Sequence, residues 1–403
     1  MSFQHGLSGL SAAARNLDVI GNNVANANTV GAKSSRVEFA DMYANSLTGL
    51  SSATNGIGVS VASVAQQFTQ GDIVSTQNPL DMAINGRGFF RVTMDGVPQY
   101  TRNGQFRMDK DGYVVTAQGA RLSGFPVGAN GVVANGAPGD LRISTADITP
   151  NPTANASVQF NLDARDTAPA AAFNSSDPST YNGSMSMSTY DTLGRDHLVT
   201  LYYVKTGGNT WDVHAAADGV DIPGVAQTLT FNTAGAMQTP AGPFNLTMPV
   251  GADAGGSLTF ALDMSKGTQF GAAFGTSEIT QDGFGTGRLS GLSVDGNGTL
   301  LGRYTNGQSK AQGQIALANF NNPQALSPLG NNSWAETVAS GQPTVGAPAT
   351  GALGTLQSSA VESSNVDLTA ELVNMISAQR VYQANAQTIK TADQLLQTIV
   401  NLR

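Results

Sequence analysis

The chain of 403 residues contains no cysteine, which removes disulfides, thiol nucleophiles and cysteine-ligated zinc from consideration. Charge is also sparse. Asp, Glu, Lys and Arg make up 12 % of the residues, and the net charge is −8 with a pI of about 4.8. No basic patch offers itself to a phosphate backbone, so nucleic acid is not an expected partner. No apolar run is long enough to span a bilayer. The N-terminus lacks a charged segment followed by an apolar one, so no cleaved secretory signal is read there.

Sites of chemistry are equally scarce. The three histidines, His5, His197 and His214, sit at no metal-ligand spacing. Asp109-Lys110-Asp111-Gly112 opens like a calcium loop, but the twelfth position is Ala120 where a bidentate Glu is needed. Gly283-Phe284-Gly285-Thr286-Gly287 is not a dinucleotide fingerprint, and no Gly-x-Ser-x-Gly elbow occurs. No enzyme class, cofactor or small-molecule substrate is expected.

Other absences are local. The chain holds 47 glycines, yet its last 49 residues, Thr355 to Arg403, hold neither glycine nor proline. Those two residues carry the largest helix penalties, so this end is helix-permissive. Apolar or small residues recur there in steps of three and four: Leu368, Leu372, Met375, Tyr382, Ala386, Ile389, Leu396 and Val400. The spacing predicts a helix over Leu368 to Leu402, capped by Asn365 or Asp367, with Glu371 in its first turn. The opening residues Phe3, Leu7, Leu10, Ala14, Leu17 and Val24 keep the same rhythm. No proline precedes Pro79 or follows Pro348. Two amphipathic stripes at the chain ends imply helices that pair, either within one subunit or between subunits. Helices that lack partners in the monomer would order only on docking.

The middle of the chain reads as β-structure. Turn dipeptides such as Asn85-Gly86, Asp95-Gly96, Asn103-Gly104 and Asp111-Gly112 recur every eight to ten residues between apolar runs. Asn85-Gly86 is read as a hairpin turn. A stretch rich in Gly, Ala, Asn and Pro near 127–155 marks a boundary. Further strands are read over 181–187, 197–204, 211–214, 228–231 and 257–262. The fold class predicted is mainly β and multidomain with α-helical termini. Two nested antiparallel β domains accompany terminal coiled-coil-like helices. Residues 1–28 and 355–403 form the helical domain, 29–70 an extended or mixed linker, 71–150 and 283–354 a discontinuous β domain, and 151–282 an inserted outer β domain.

Several runs carry a family resemblance. Asn16-Leu17-Asp18-Val19-Ile20-Gly21-Asn22-Asn23-Val24-Ala25-Asn26 resembles the signature of bacterial flagellar rod, hook and hook-associated proteins. Gly88-Phe89-Phe90-Arg91-Val92, the run Tyr100-Thr101-Arg102-Asn103-Gly104-Gln105-Phe106, and Gly124-Phe125-Pro126 are similar to that family's β-domain motif. Glu371-Leu372-Val373-Asn374-Met375-Ile376, with Ala378-Gln379-Arg380 and Gln387-Thr388-Ile389-Lys390-Thr391, is similar to its C-terminal motif. One position departs: Ala32 stands where the family usually has an aromatic before the lysine, here Lys33.

Chain length and a single β insertion fit the hook branch of the family. The resemblance then implies an extracellular tubular homopolymer, a curved universal joint that carries torque from rod to filament. It implies rod, hook-cap, length-control and hook–filament junction proteins as partners, with delivery by the flagellar type III export apparatus. The two terminal seams would line an inner tube and form the polymerisation interface. A distal-rod member of the same family is the nearest alternative. A β-rich adhesin or glycan-binding module is the other class, and it would need exposed aromatics among Trp211, Tyr202 and Tyr203.

Overall fold

The computed structural model describes residues 2–43, 56–128, 131–134, 136–224 and 226–401, without the side chains of Ser2, Tyr43, Ile57, Ile399, Val400 and Asn401. The chain is mainly β, with a helix at each end. It divides into two compact units. The first comprises Met1–Ser144, Gly291–Gly302 and Ser309–Arg403; the second comprises Thr145–Ser290 and Arg303–Gln308.

The helices belong to the first unit. Helix α1 spans Ser2–Ala25 and α2 spans Leu368–Asn401. At 1.5 Å per residue, the 34 residues of α2 make a rod of about 50 Å. Asp367 caps α2: its carboxylate accepts from the amides of Thr369 at 2.9 Å and Ala370 at 3.1 Å. This holds two of the donors that a helix start leaves unpaired. Asn365, the other cap candidate, instead bonds Ser34 N and the carbonyl of Gln67.

Helix does not extend back to Thr355. Thr355–Ser358 is a strand paired with Met82–Asn85, and Ala360–Glu362 is a strand paired with Ile73–Ser75. Freedom from glycine and proline permits a helix without compelling one, and ladder partners elsewhere in the unit decide here. The same pairing corrects the reading of Asn85-Gly86. Met82–Asn85 does not fold back onto Phe89–Met94, because its partner lies about 270 residues further along. Residues 29–70 also hold more than a linker. Strand β1 (Ser35–Tyr43) pairs antiparallel with β2 (Gly56–Gln66).

The main sheet of the first unit runs in the order Ser309–Ile315, Arg121–Pro126, Phe89–Met94, Val97–Thr101, Ser333–Ala335 and Ser327–Gly330. Neighbours are antiparallel. Asp95-Gly96 makes the tight turn from Phe89–Met94 to Val97–Thr101, with φ of 51° and 81°. Two left-handed central residues match the twist of the strands they join. Phe89, Tyr100, Phe320 and Trp334 form an aromatic core with edge-on contacts, such as Tyr100 to Phe320 at 4.7 Å between ring centres.

The second unit is a two-sheet sandwich. One sheet runs Phe244–Pro249, Ser257–Asp263, Asn155–Asp163, with Thr268–Phe270 and Gly275–Gln281 also on Asn155–Asp163. The other runs Gly183–Tyr190, Asp196–Lys205, Thr210–Ala217, Gln227–Phe231, Met237–Thr239. Alternate residues of both sheets, including Phe160, Leu201, Trp211 and Phe260, fill one core. Most pairings are antiparallel. Asn155–Asp163 departs, running parallel to Ser257–Asp263 and to Thr268–Phe270.

Candidate subunit interface

Helices α1 and α2 pack against each other in one chain, antiparallel. Gly6 lies against Ile389, Gly9 against Asn385, and Asn23 reaches Glu371. The buried side of α1 is Gly6, Ala12, Ala13, Ile20 and Asn23. On α2, Ala378 and Ala392 are buried. These positions keep heptad-like spacing, but on α1 they sit one residue before the large apolar stripe. A one-residue offset turns a helix face by about 100°. On α1 the contact is therefore made largely by small residues, which let the backbones approach closely, and the bulky stripe of that helix is left over; on α2 the stripe residue Ile389 itself packs on Gly6.

That leftover surface contains the stripe residues expected to form the polymerisation interface. Phe3 is 46 % exposed, Leu7 49 %, Leu372 45 %, and Leu368, Tyr382 and Leu396 are exposed as well. Leu10, Ala14, Leu17, Val24, Met375, Ala386 and Ile389 are half-buried. The side chain of Val400 lies outside the described residues, as does Leu402. Val373, Ile376, Val381 and Leu395, which do not belong to the strict three-four spacing, are exposed on α2 too. Hydrophobic residues scattered singly on a surface are ordinary, but a contiguous apolar helix face marks a contact site.

Behind the helices lies a buried charged junction. The Glu362 carboxylate accepts from Lys33 Nζ at 2.6 Å and from Arg102 Nη1 at 3.0 Å, with both partners' side chains almost wholly buried. The Gly71 amide donates to the same carboxylate at 2.9 Å. Lys33 also donates to Thr69 O and Arg102 to Gly86 O, which spreads the excess positive charge onto carbonyls. Burial pulls the pKa of Lys33 and of Arg102 down, and the adjacent Glu362 opposes it. The Gly31 amide bonds Glu362 O at 2.8 Å. One residue thus fastens the chain leaving α1 and the chain approaching α2 to the β part of the first unit.

A second clamp sits at Asn23. Its amide donates to Ser35 O at 2.8 Å and to Glu371 Oε1 at 3.2 Å, and its Oδ1 accepts from Ser35 N at 2.9 Å. The end of α1, the start of β1 and the first turn of α2 are held together. At the other end of α1, His5 Nε2 lies 2.8 Å from Gly56 O, and Ser8 Oγ accepts from Val59 N at 3.4 Å. Neither the triad nor Asn23 is legible as a site in sequence, because the charges lie far apart along the chain. The only hint is their place inside apolar motifs in a chain with few charges.

Features that suggested other chemistry have structural partners. Asp109 Oδ1 accepts from the amides of Asp111 and Tyr113, closing its own turn. Trp211 and Tyr203 are fully buried in the sandwich core, and Tyr202 packs against Phe173 and Tyr181. Of the three aromatics named for glycan binding, only Tyr202 is partly exposed, beside Phe173 and Tyr181.

Four family models fall in order on the chain. Residues 3–33 match "Flagella basal body rod protein", 83–163 match "Flagellar hook protein FlgE/F/G D1 domain", 161–284 match "Flagellar basal body protein FlaE D2 domain", and 357–402 match "Flagellar basal body rod FlgEFG protein C-terminal". Together they define the class of flagellar axial proteins. The chain is 42 % identical to the flagellar hook protein FlgE of Escherichia coli (strain K12) and 43 % identical to that of Salmonella typhimurium, with 100 % of each chain covered. It is 33 % identical to the hook protein of Borreliella burgdorferi over 100 % of this chain and 99 % of the relative. The crystal structure of Helicobacter pylori flagellar hook protein FlgE2 matches with a TM-score of 0.51 at 15 % identity, covering 70 % of this chain and 99 % of that one. That likeness is one of fold. The chain belongs to the flagellar hook protein family.

Proposed function

We propose that the chain is the building block of a curved tubular homopolymer, assembled through its terminal helices, that joins the rod to the filament outside the cell. One observation carries this reading: α1 meets α2 largely through small residues of its own, and Phe3, Leu7, Leu368 and Leu372 stay exposed. A subunit that binds its neighbour through a different patch makes a heterologous contact, which propagates as a helical filament when it does not close. The helices form the inner tube and carry torque, and the β units form its outer part. Few charges and many small residues suit outer surfaces that slide as the tube bends. The role is structural, not catalytic. Rod, hook-cap, length-control and hook–filament junction proteins are the partners, and the type III export apparatus delivers the subunit.

The test is electron microscopy of polymer grown from the full chain beside a chain trimmed to residues 29–366, which lacks both helices but keeps the strands Thr355–Ser358 and Ala360–Glu362. Curved tubes from the first and monomers from the second are expected. Tubes from the trimmed chain would overturn the role of the helices.

A further inference from the structure

Self-assembly needs two surfaces that fit each other, and α2 carries one on each side. A cleft of about 630 Å3 opens between α1, α2 and the β1–β2 sheet. Its walls mix small and apolar residues, such as Ala12, Phe39, Val59 and Ala378, with polar ones that include Gln67 and Arg36, whose guanidinium is paired with Glu38 at 3.4 Å. Glu371 stands in the same cleft. Its Oε1 accepts from Asn23, but its Oε2 is buried and has no hydrogen-bond partner among the described residues. A buried carboxylate oxygen left without a donor is costly, so a donor is to be sought outside the subunit.

The other side of α2 offers one. Leu372, Val373 and Ile376 are exposed there. Arg380 follows one turn beyond Ile376, exposed and without an ion pair or hydrogen bond among the described residues. At about 100° per residue, Leu372, Ile376 and Arg380 share a face. Glu371, Asn374 and Ala378 share the roughly opposite one. One helix thus bears a socket with an unpaired acceptor and a plug of apolar side chains ending in an unpaired guanidinium.

We infer that the cleft of one subunit receives the Leu372–Ile376–Arg380 face of α2 from a second copy, with Arg380 of the incoming helix donating to Glu371. This rests on the self-assembly proposed above. The occupant is a second copy because the apolar plug and the charge complement are both built into this chain. Arginine on carboxylate is a strong, oriented pair, so it sets the register as well as adding affinity. Socket and plug lie on opposite sides of the same helix, so each addition exposes a fresh socket or plug. The contact runs on without closing.

The absence of cysteine makes a clean test possible, since any disulfide must join introduced thiols. Full-length Asn374→Cys, in the cleft, is mixed with full-length Ile376→Cys, on the opposite face. The mixture is polymerised and mildly oxidised. Mixed disulfide dimers should exceed those from either variant alone. Polymer without that excess overturns the socket-and-plug contact while leaving polymerisation standing. Failure of the unaltered chain to polymerise overturns both. In parallel, Glu371→Gln and Arg380→Gln should each raise the critical concentration on the order of tenfold, and the double variant no further. Helical circular dichroism and Trp334 emission should be unchanged. An unaltered critical concentration for either single variant overturns the pairing.

Discussion

Gly6 of α1 sits so close to α2 that a Cβ on it would come within 2.9 Å of Ile389 Cγ1. Gly9 makes a similar approach to the Asn385 side-chain amide, at 2.8 to 2.9 Å. The two contacts predict different outcomes. An Asn amide at the end of a flexible side chain can swing away, and alanine is favoured over glycine in a helix by about 1 kcal/mol. Gly9→Ala is expected to be neutral or stabilising. Gly6→Val has to displace the branched stem of Ile389 and should cost about 1–3 kcal/mol. Thermal melts followed by helical circular dichroism rank the two; equal effects would contradict the close-packed seam.

The buried triad predicts an order among its members. Glu362 is the one negative charge between two buried cations, so Glu362→Gln leaves both uncompensated. The expected loss is about 3–5 kcal/mol. Lys33→Met leaves Glu362 paired with Arg102 and should cost markedly less. The chain has two tryptophans, Trp334 in the first unit and Trp211 in the second. With Trp211→Phe as background, urea unfolding read at Trp334 reports the first unit alone. A larger loss from Lys33→Met than from Glu362→Gln would contradict the charge count.

A pH window is expected for the second unit. The Asp191 side chain is fully buried, which alone would push its pKa up. Hydrogen bonds from the Arg195 backbone and guanidinium, from His197 and from the Leu193 amide outweigh burial and hold it at about 2. A depressed carboxyl stabilises the fold above its unfolded pKa of about 4, and that contribution is lost as pH falls toward 2. His197 lies between Asp191 at 3.4 Å and Asp218 at 2.7 Å. Burial pulls its pKa down, but the two carboxylates prevail and raise it. Its contribution is present below about pH 6.5 and is lost as pH rises past the raised value. The cluster should help most between about pH 4 and 6.5. In a Trp334→Phe background, the urea midpoint read at Trp211 should fall on both sides of that window. Asp191→Asn should flatten the acid limb, and an unchanged acid limb would count against the assignment.

Both helices and the predominance of β-structure were legible from composition and periodicity. The face on which the helices pair was not. Periodicity finds the most apolar stripe, Phe3 to Val24, whereas the subunit's own seam uses Gly6, Ala13 and Ile20, whose small or mixed character gives a weak signal. Asn85-Gly86 misled for a related reason. A turn dipeptide reports local backbone preference, but Met82–Asn85 found its partner in Thr355–Ser358, which no local pattern encodes. The parallel neighbours of Asn155–Asp163 are non-local in the same way. Lys33, Arg102 and Glu362 each look like surface charges when read singly, and only the fold brings them together.

The proposed contact between subunits buries the exposed apolar side of α2 around Leu372. Leu372 is 45 % exposed, so a charge placed there costs the isolated subunit little but would be buried in the polymer. Electron microscopy of cells whose only copy of this protein carries Leu372→Asp is the most direct measurement, with urea unfolding of the purified variant alongside. The expected result is no hooks from a subunit whose β units unfold at unchanged urea midpoints. Normal hooks on those cells would contradict the claim.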